Sequence, residues 1–530
     1  VRAPSRPDRL FALLFVAVAL ARTALLVSSQ HIANGDESAI GVMAVRILQG
    51  ERPIHPSVAD RHGGSALAGY LTAVAFSATG ASEHALKLPP LLISLAALAG
   101  VYVLVRATRG PEAGLLAAGL FALHPGLAKW SFYAPGGYVL CQALFLAVHW
   151  LALARCCVAG RARPHHDLLL GLGSAIGTAV LALFAPAAAS SGLLLLAFGA
   201  SGPIRARLGR FALGFGAGVA TLAPFARAIE QNPPQSLLAN LAGLPASLGR
   251  ALASDLPALF AYHNLEGMPA ATLVPNYVGG AVVLGGLALL LVYRGSAVLE
   301  SIRHLPRRPA ERPAVPLELA LFVYLASYLP LYALHPFSGA EARYLVPLEP
   351  ALTTLAALGL YEALRSSRAV ALASALLLVA VANGSWEHAR LMEDRDVLGL
   401  RGRRPAEAGA LTRVLEGHGV RHVVSDDWDL FWRLSFASHG RIVGCHAVAE
   451  QRDWLEQPER HAARRFAVIV APDSHRDRAL GRRTQRLGIP VLRIEASGKA
   501  IHLIGPSDGS PEQPRDWCPP ELRLEPVMSP

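Results

Sequence analysis

Long apolar runs separated by short clusters of arginine dominate the first 385 residues of the chain. The first run, about Leu10 to Ser29, follows Arg2, Arg6 and Arg9 and has the ~20 residues that a helix needs to cross a bilayer. A basic flank ahead of an apolar run is also the form of a secretory signal peptide, but the many runs that follow favour an uncleaved first span. Further spans are predicted at about 86–105, 113–127, 138–153, 168–184, 187–200, 211–228, 276–292, 316–334, 345–364 and 370–383, which makes about eleven.

This count places Arg106 and Arg109, Arg155 to Arg163, Arg205 to Arg210, Arg294 to Arg312, and Arg365 with Arg368 on one side, which the positive-inside rule makes cytoplasmic. The segment Ser65 to Thr79 is apolar but has only about 15 residues and no basic flanks, so it is expected to be re-entrant or interfacial. A twelfth crossing there would reverse every later cluster. The N-terminus is therefore expected in the cytoplasm and the C-terminus outside.

Between the first two spans, residues 38–54 set Ile40, Val42, Met43, Ile47 and Leu48 against Glu37, Arg46, Gln49 and Glu51 at helical spacing. The pattern predicts a short amphipathic helix on the outer surface, started by Asn34 or Asp36 as N-cap and stopped by Gly50 and Pro53. Outer loops are expected over 30–85 and 230–273.

From Ser385 the apolar runs shorten and charge density rises. Helices are predicted at 406–417, 428–438 and 477–487, and strands at 421–425, 441–445, 466–471, 490–495 and 500–504. Short Val/Ile-rich runs alternating with helical patterns imply a small α/β domain with a partly parallel sheet. The domain organisation expected is 1–385 in the membrane, 386–505 as this extracytoplasmic domain, and 506–530 as a Pro-, Ser- and Glu-rich disordered tail.

Composition supports this order. The chain is 53% hydrophobic and 16% charged, with mean hydropathy +0.37, far more apolar surface than one soluble core needs. The net charge of +11 comes largely from arginines between apolar runs, where orientation in a membrane explains them, and no nucleic-acid signature accompanies it. Richness in Ala, Arg, Leu and Gly with few Lys suits a GC-rich bacterial genome, hence a bacterial inner membrane. The five cysteines form no CxxC and no zinc spacing, which leaves a bridge between Cys445 and Cys518 or two unpaired thiols as equal options.

Candidate chemistry centres on Asn34-Gly35-Asp36-Glu37. Two adjacent carboxylates near a membrane surface are costly unless solvated, paired or used. They also suit a helix start, where acids offset the macrodipole. Arg343 is the second candidate, because an arginine on the outer side opposes the charge bias of the chain and a guanidinium binds phosphate in bidentate fashion. Lys129, Arg46, Arg52, Arg61 and His62 lie on or near the same side, and His55, Asp60 and His62 hint at a metal cluster that no spacing fixes on one face. Asp255, Tyr262, His263 and Glu266 fall in the long outer loop at 230–273.

An acidic pair after the first span, a helix ending in Leu-x-Gly-Glu-Arg-Pro, a short apolar segment, and then Leu86-Lys87-Leu88-Pro89 together resemble the GT-C class of membrane glycosyltransferases. Gly136-Gly137-Tyr138, Arg343-Tyr344-Leu345-Val346-Pro347 and an outer C-terminal domain add to the likeness. The closest kin are the branch related to protein mannosyltransferases and to the enzyme that adds aminoarabinose to lipid A. The resemblance implies a polytopic α-helical fold and transfer of a sugar from a polyprenyl-phosphate carrier to a hydroxyl-bearing lipid, glycan or protein.

On this likeness Asp36 is the base, and Glu37 orients it, binds a divalent cation or contacts the acceptor. Arg343, Tyr344, Lys129, Arg46, His62 and Tyr138 are the substrate-binding candidates, and the only cofactor to consider is a divalent metal ion. One departure is that Ala134-Pro135 stand where relatives often present a charged group, so the outer loop expected at 129–137 offers no second carboxylate. A transporter of lipid or polysaccharide, or an inactive relative serving as a scaffold, are the alternatives. The enzyme reading expects Asp36 and Arg343 to share one water-exposed hollow at the outer boundary of the lipid.

Overall fold

The computed structural model describes residues 5–28, 33–50, 66–124, 128, 130–132, 137–156, 163–198, 203–221, 241–259, 270–303, 317–334, 342–393, 405–425, 427–446, 466–486, 488–489 and 491–505. In chain order the helices are α1 (Arg6–Ser28), α2 (Gly35–Leu48), α3 (Ala66–Thr79), α4 (Glu83–Arg109), α5 (Pro111–Ala122), α6 (Tyr138–Cys156), α7 (Pro164–Val180), α8 (Ala185–Phe198) and α9 (Ile204–Ala220). They continue with α10 (Ala270–Arg303), α11 (Leu317–Ala333), α12 (Glu349–Arg365), α13 (Val370–Glu393), α14 (Pro405–Gly417), α15 (Trp428–Ala437) and α16 (His475–Arg486). Five strands, β1 (His422–Ser425), β2 (Val443–His446), β3 (Phe466–Val470), β4 (Val491–Ala496) and β5 (Lys499–Ile504), complete the set, with short helical turns at 244–259 and a 3₁₀ segment at Ala342–Leu348.

Contacts divide the chain into two units, Val1–Ser29 with Pro90–Val397, and Gln30–Pro89 with Leu398–Pro530. In the first, a helix stands at each of the eleven expected spans among the described residues. Arg6–Ser28, Glu83–Arg109, Val278–Arg303 and Val370–Arg390 are long and apolar enough to cross a membrane. Close backbone approach holds parts of this bundle together. A methyl group on Gly359 of α12 would meet the carbonyl oxygen of Gly286 on α10 at 1.9 Å, so only glycine lets these two helices touch. Tyr324, Tyr328 and Tyr332, on one face of α11, are wholly buried in the same core.

Several helices run past the ends that the sequence suggests, α9 among them from Ile204 rather than 211. α10 begins at Ala270 rather than 276 and continues to Arg303. α13 passes through Asn383-Gly384 to Glu393, because Gly384 packs against the backbone of Leu123 and is needed inside the helix rather than at its end.

In the second unit the sheet order is β2-β1-β3-β5-β4, with β1 parallel to β2 and β3, and β5 antiparallel to β3 and β4. The short Val/Ile-rich runs form strands within two residues of the expected bounds. Ser497 and Gly498, both at positive φ, make the two-residue turn between β4 and β5, the backbone shape that matches strand twist. β5, the last strand among the described residues, is thus an interior strand of the sheet. Leu411, Leu415, Leu430 and Leu434 from α14 and α15 pack with one set of strand residues, and Leu480 of α16 packs with the other.

Asp477 of α16 ties this second layer to the sheet. Its carboxylate receives Arg493 of β4 through Nη2 at 2.8 Å and Nε at 3.2 Å, takes the N–H of Asp473 at 2.8 Å, and lies 2.5 Å from a ring nitrogen of His502 on β5. Arg493, then the N–H of Asp473 and His502, hold the Asp477 carboxyl well below the usual carboxylate range.

The same unit contains α2 and α3. The expectation of a surface-lying α2 is corrected here: all of Glu37 to Val45 is buried, and both α3 and α15 pack against the helix. Periodicity showed an apolar face but could not show that a distant segment would cover the opposite one. The tail 506–530, Cys518 and the Cys445 side chain lie outside the described residues.

Candidate functional site

The acid pair sits in a helix start built from side chains. Asn34, in extended conformation, is the N-cap; its Oδ1 accepts the N–H of Glu37 at 2.9 Å, and Glu37 Oε2 accepts the N–H of Asn34 at 3.2 Å. This reciprocal box satisfies donors that the helix itself cannot. The other Glu37 oxygen, Oε1, pairs with Lys87 Nζ at 2.8 Å, and the two side chains are 0% and 2% exposed. A third carboxylate, Asp429 Oδ1 of α15, accepts the N–H of Gly35 at 3.1 Å.

This geometry separates the roles of the two acids. Both oxygens of Glu37 are engaged in fixing the first turn. Asp36 occupies the second helical position, beside Glu37, and is only half-buried. Arg46 lies in the last turn, ten residues on and thus roughly 15 Å along the axis, so α2 does not bring it to Asp36.

In the helical unit, buried side chains hold the carbonyl groups of the 3₁₀ segment Ala342–Leu348. Tyr328 Oη donates to the carbonyl of Tyr344, Gln142 Nε2 to that of Val346 at 2.8 Å, and Tyr324 Oη to that of Pro347 at 3.2 Å. Gln142 Nε2 also lies 2.7 Å from Glu349 Oε2, and His124 Nδ1 is 3.9 Å from the other Glu349 oxygen. Tyr138 and Tyr344 meet edge to face, with ring centroids 5.6 Å apart. Two of the expected binding residues are therefore brought together, both buried. Tyr332 continues the series outside the segment, donating to Asp255 at 2.6 Å.

Arg22 of α1 was not singled out by the sequence pattern. It is 0% exposed; Nη1 donates to Ser94 Oγ at 3.2 Å, whereas Nε and Nη2 have no hydrogen-bond partner among the described residues. A buried guanidinium with two nitrogens left unbonded is expensive. Its only sequence signal was a basic residue inside an otherwise apolar run.

Lys129, His62, Arg52, Arg61, His55, Asp60, Tyr262, His263 and Glu266, and the side chain of Arg343, lie outside the described residues. Asp36 belongs to one unit and the backbone of Arg343 to the other. Among the described residues no group of three or more His, Cys, Asp or Glu side chains is placed to hold a metal ion.

No family model matches this sequence, and no curated protein matches it. In three dimensions the chain has the GT-C glycosyltransferase fold, a fold of integral membrane proteins that its apolar helices fit. It is similar to ArnT from Cupriavidus metallidurans bound to undecaprenyl phosphate, with TM-score 0.56 and 14% identity over 93% of this chain and 97% of that one. The same protein in the apo state gives TM-score 0.53 at 14% identity, with the same coverage.

Proposed function

We propose that this chain transfers a sugar from a polyprenyl-phosphate donor to a hydroxyl-bearing acceptor on the outer face of a bacterial inner membrane, with Asp36 as general base. Asp36 takes the hydroxyl proton, the acceptor oxygen bonds to the anomeric carbon with inversion, and the bond from that carbon to the phosphate oxygen breaks. The polyprenyl phosphate leaves as an anion, and Arg343 and Arg22 are the cations proposed to offset its charge.

The observation that carries the reading is the construction around Asp36. Asn34, Glu37, Lys87 and Asp429 fix the turn that carries Asp36, a residue that is itself half-buried. Such preorganisation suits proton abstraction, which contributes about 10²–10⁴-fold to rate. Likeness of fold to a protein bound to undecaprenyl phosphate supports the donor class. The test is sugar release from a polyprenyl-phosphate sugar by purified protein in nanodiscs, wild type beside Asp36→Asn. A loss of two orders of magnitude or more is expected; an unchanged rate removes Asp36 as base.

A further inference from the structure

The first N–H groups of any α-helix lack partners within the helix. In α2 the N-cap box takes those of Asn34 and Glu37, and the N–H of Gly35, itself buried, goes to Asp429, 394 residues further along the chain. Asp429 is held in turn. Asp427, the N-cap of α15, accepts the N–H groups of Asp429 and Leu430 at 3.1 and 3.2 Å and pairs with Lys499 of β5 at 3.4 Å.

A second contact lies seven residues on, on the same face of α15. A methyl group on Gly41 would meet the Phe436 ring at 2.6 Å, so the ring lies directly on the α2 backbone. Phe436 also stacks on Phe76 of α3, centroids 5.9 Å apart and planes 15° apart. One polar and one apolar contact therefore seat α2 on a helix whose own start is tied to the sheet. Neither contact uses the Asp36 side chain.

We infer that Asp429 is a positioning residue for transfer: by taking the Gly35 N–H it sets the first turn of α2 and with it the carboxylate of Asp36. The inference rests on the reading of Asp36 as base, and it gives the C-terminal α/β domain a part in the reaction. What matters is an acceptor oxygen at this position. Asp429→Asn keeps one, and Asp429→Ala does not. The cap of α15 is Asp427, so neither variant removes it.

The experiment uses the full chain in nanodiscs with a polyprenyl-phosphate sugar. Asp429→Ala is expected to lower kcat about tenfold or more with little change in donor KM, since a misplaced base slows chemistry rather than binding. It is also expected to speed hydrogen exchange across residues 34–38. Asp429→Asn is expected to restore both. Normal kcat and normal exchange in Asp429→Ala overturn the inference. So does Asp429→Asn as slow as Asp429→Ala with exchange like wild type, because charge rather than position would then be at work. If wild-type protein releases no sugar, the sugar-transfer reading fails, and the exchange measurement alone decides whether Asp429 fixes the turn.

Discussion

The ammonium of Lys87 and the carboxylate of Glu37 meet at 2.8 Å, fifty residues apart in sequence, and both side chains are buried. Breaking such a pair from one side leaves a lone charge in the interior, at about 3–5 kcal/mol, whereas removing both costs far less. Lys87→Met is therefore expected to lower thermal stability sharply, and Glu37→Gln with Lys87→Met to recover much of it. Equal unfolding temperatures for the single and double variants would deny the pairing.

The N-cap predicts a smaller effect with a sharper chemical signature. Asn34→Ala is expected to cost about 1 kcal/mol and to lower transfer, while Asn34→Asp, which keeps the acceptor, is expected to preserve both. Denaturant or thermal midpoints read alongside sugar release check this; an alanine variant with wild-type stability would show that the box contributes nothing.

Arg22 should separate stability from activity. Methionine there removes an incompletely bonded guanidinium from an apolar interior, so the melting temperature is expected to stay level or rise. Binding of undecaprenyl phosphate to the same nanodisc preparation is expected to weaken at least tenfold. Unaltered lipid binding by Arg22→Met would remove Arg22 from the phosphate site.

Tyr328→Phe and Gln142→Leu each strip a donor from a buried carbonyl of the 342–348 segment, at about 1–3 kcal/mol apiece. If Arg343 contacts the donor phosphate, both variants are expected to raise the donor KM in addition to lowering stability. A normal KM in two destabilised variants would mean that the segment is scaffold alone.

Acid should act on the C-terminal domain through Asp477. Its carboxyl is depressed in the fold, so the stabilisation is complete above the unfolded value near 3.9 and is lost as pH falls below it toward the lower folded value. Tryptophan fluorescence during urea unfolding, taken from about pH 6 down to about pH 2, is expected to show a falling midpoint that flattens in Asp477→Asn. An identical slope in the variant would assign the acid sensitivity elsewhere.

What the sequence made legible was local. The start of α2 could be read to within two residues because Asn34 and Asp36, both good caps, stand just ahead of the apolar pattern, and the strands of the C-terminal domain because Val/Ile runs such as Phe466–Val470 are short and bounded. Partners far apart in the chain were not legible. Lys87 entered only as part of a motif, and Asp429 is one acid among several near the start of a soluble-domain helix. The burial of α2 follows from α3 and α15 packing on it, which no periodicity in residues 38–54 encodes. Arg22 was passed over because a single basic residue does little to the average hydropathy of a span.

The antiparallel insertion of β5 between β3 and β4 has a consequence for biosynthesis. Because the final strand fills an inner place, the ribosome must deliver residue 504 before the sheet can close, by which time every apolar helix has already been made. The sheet that holds Asp427 through Lys499 is then among the last of the described elements to be completed, after the whole helical bundle.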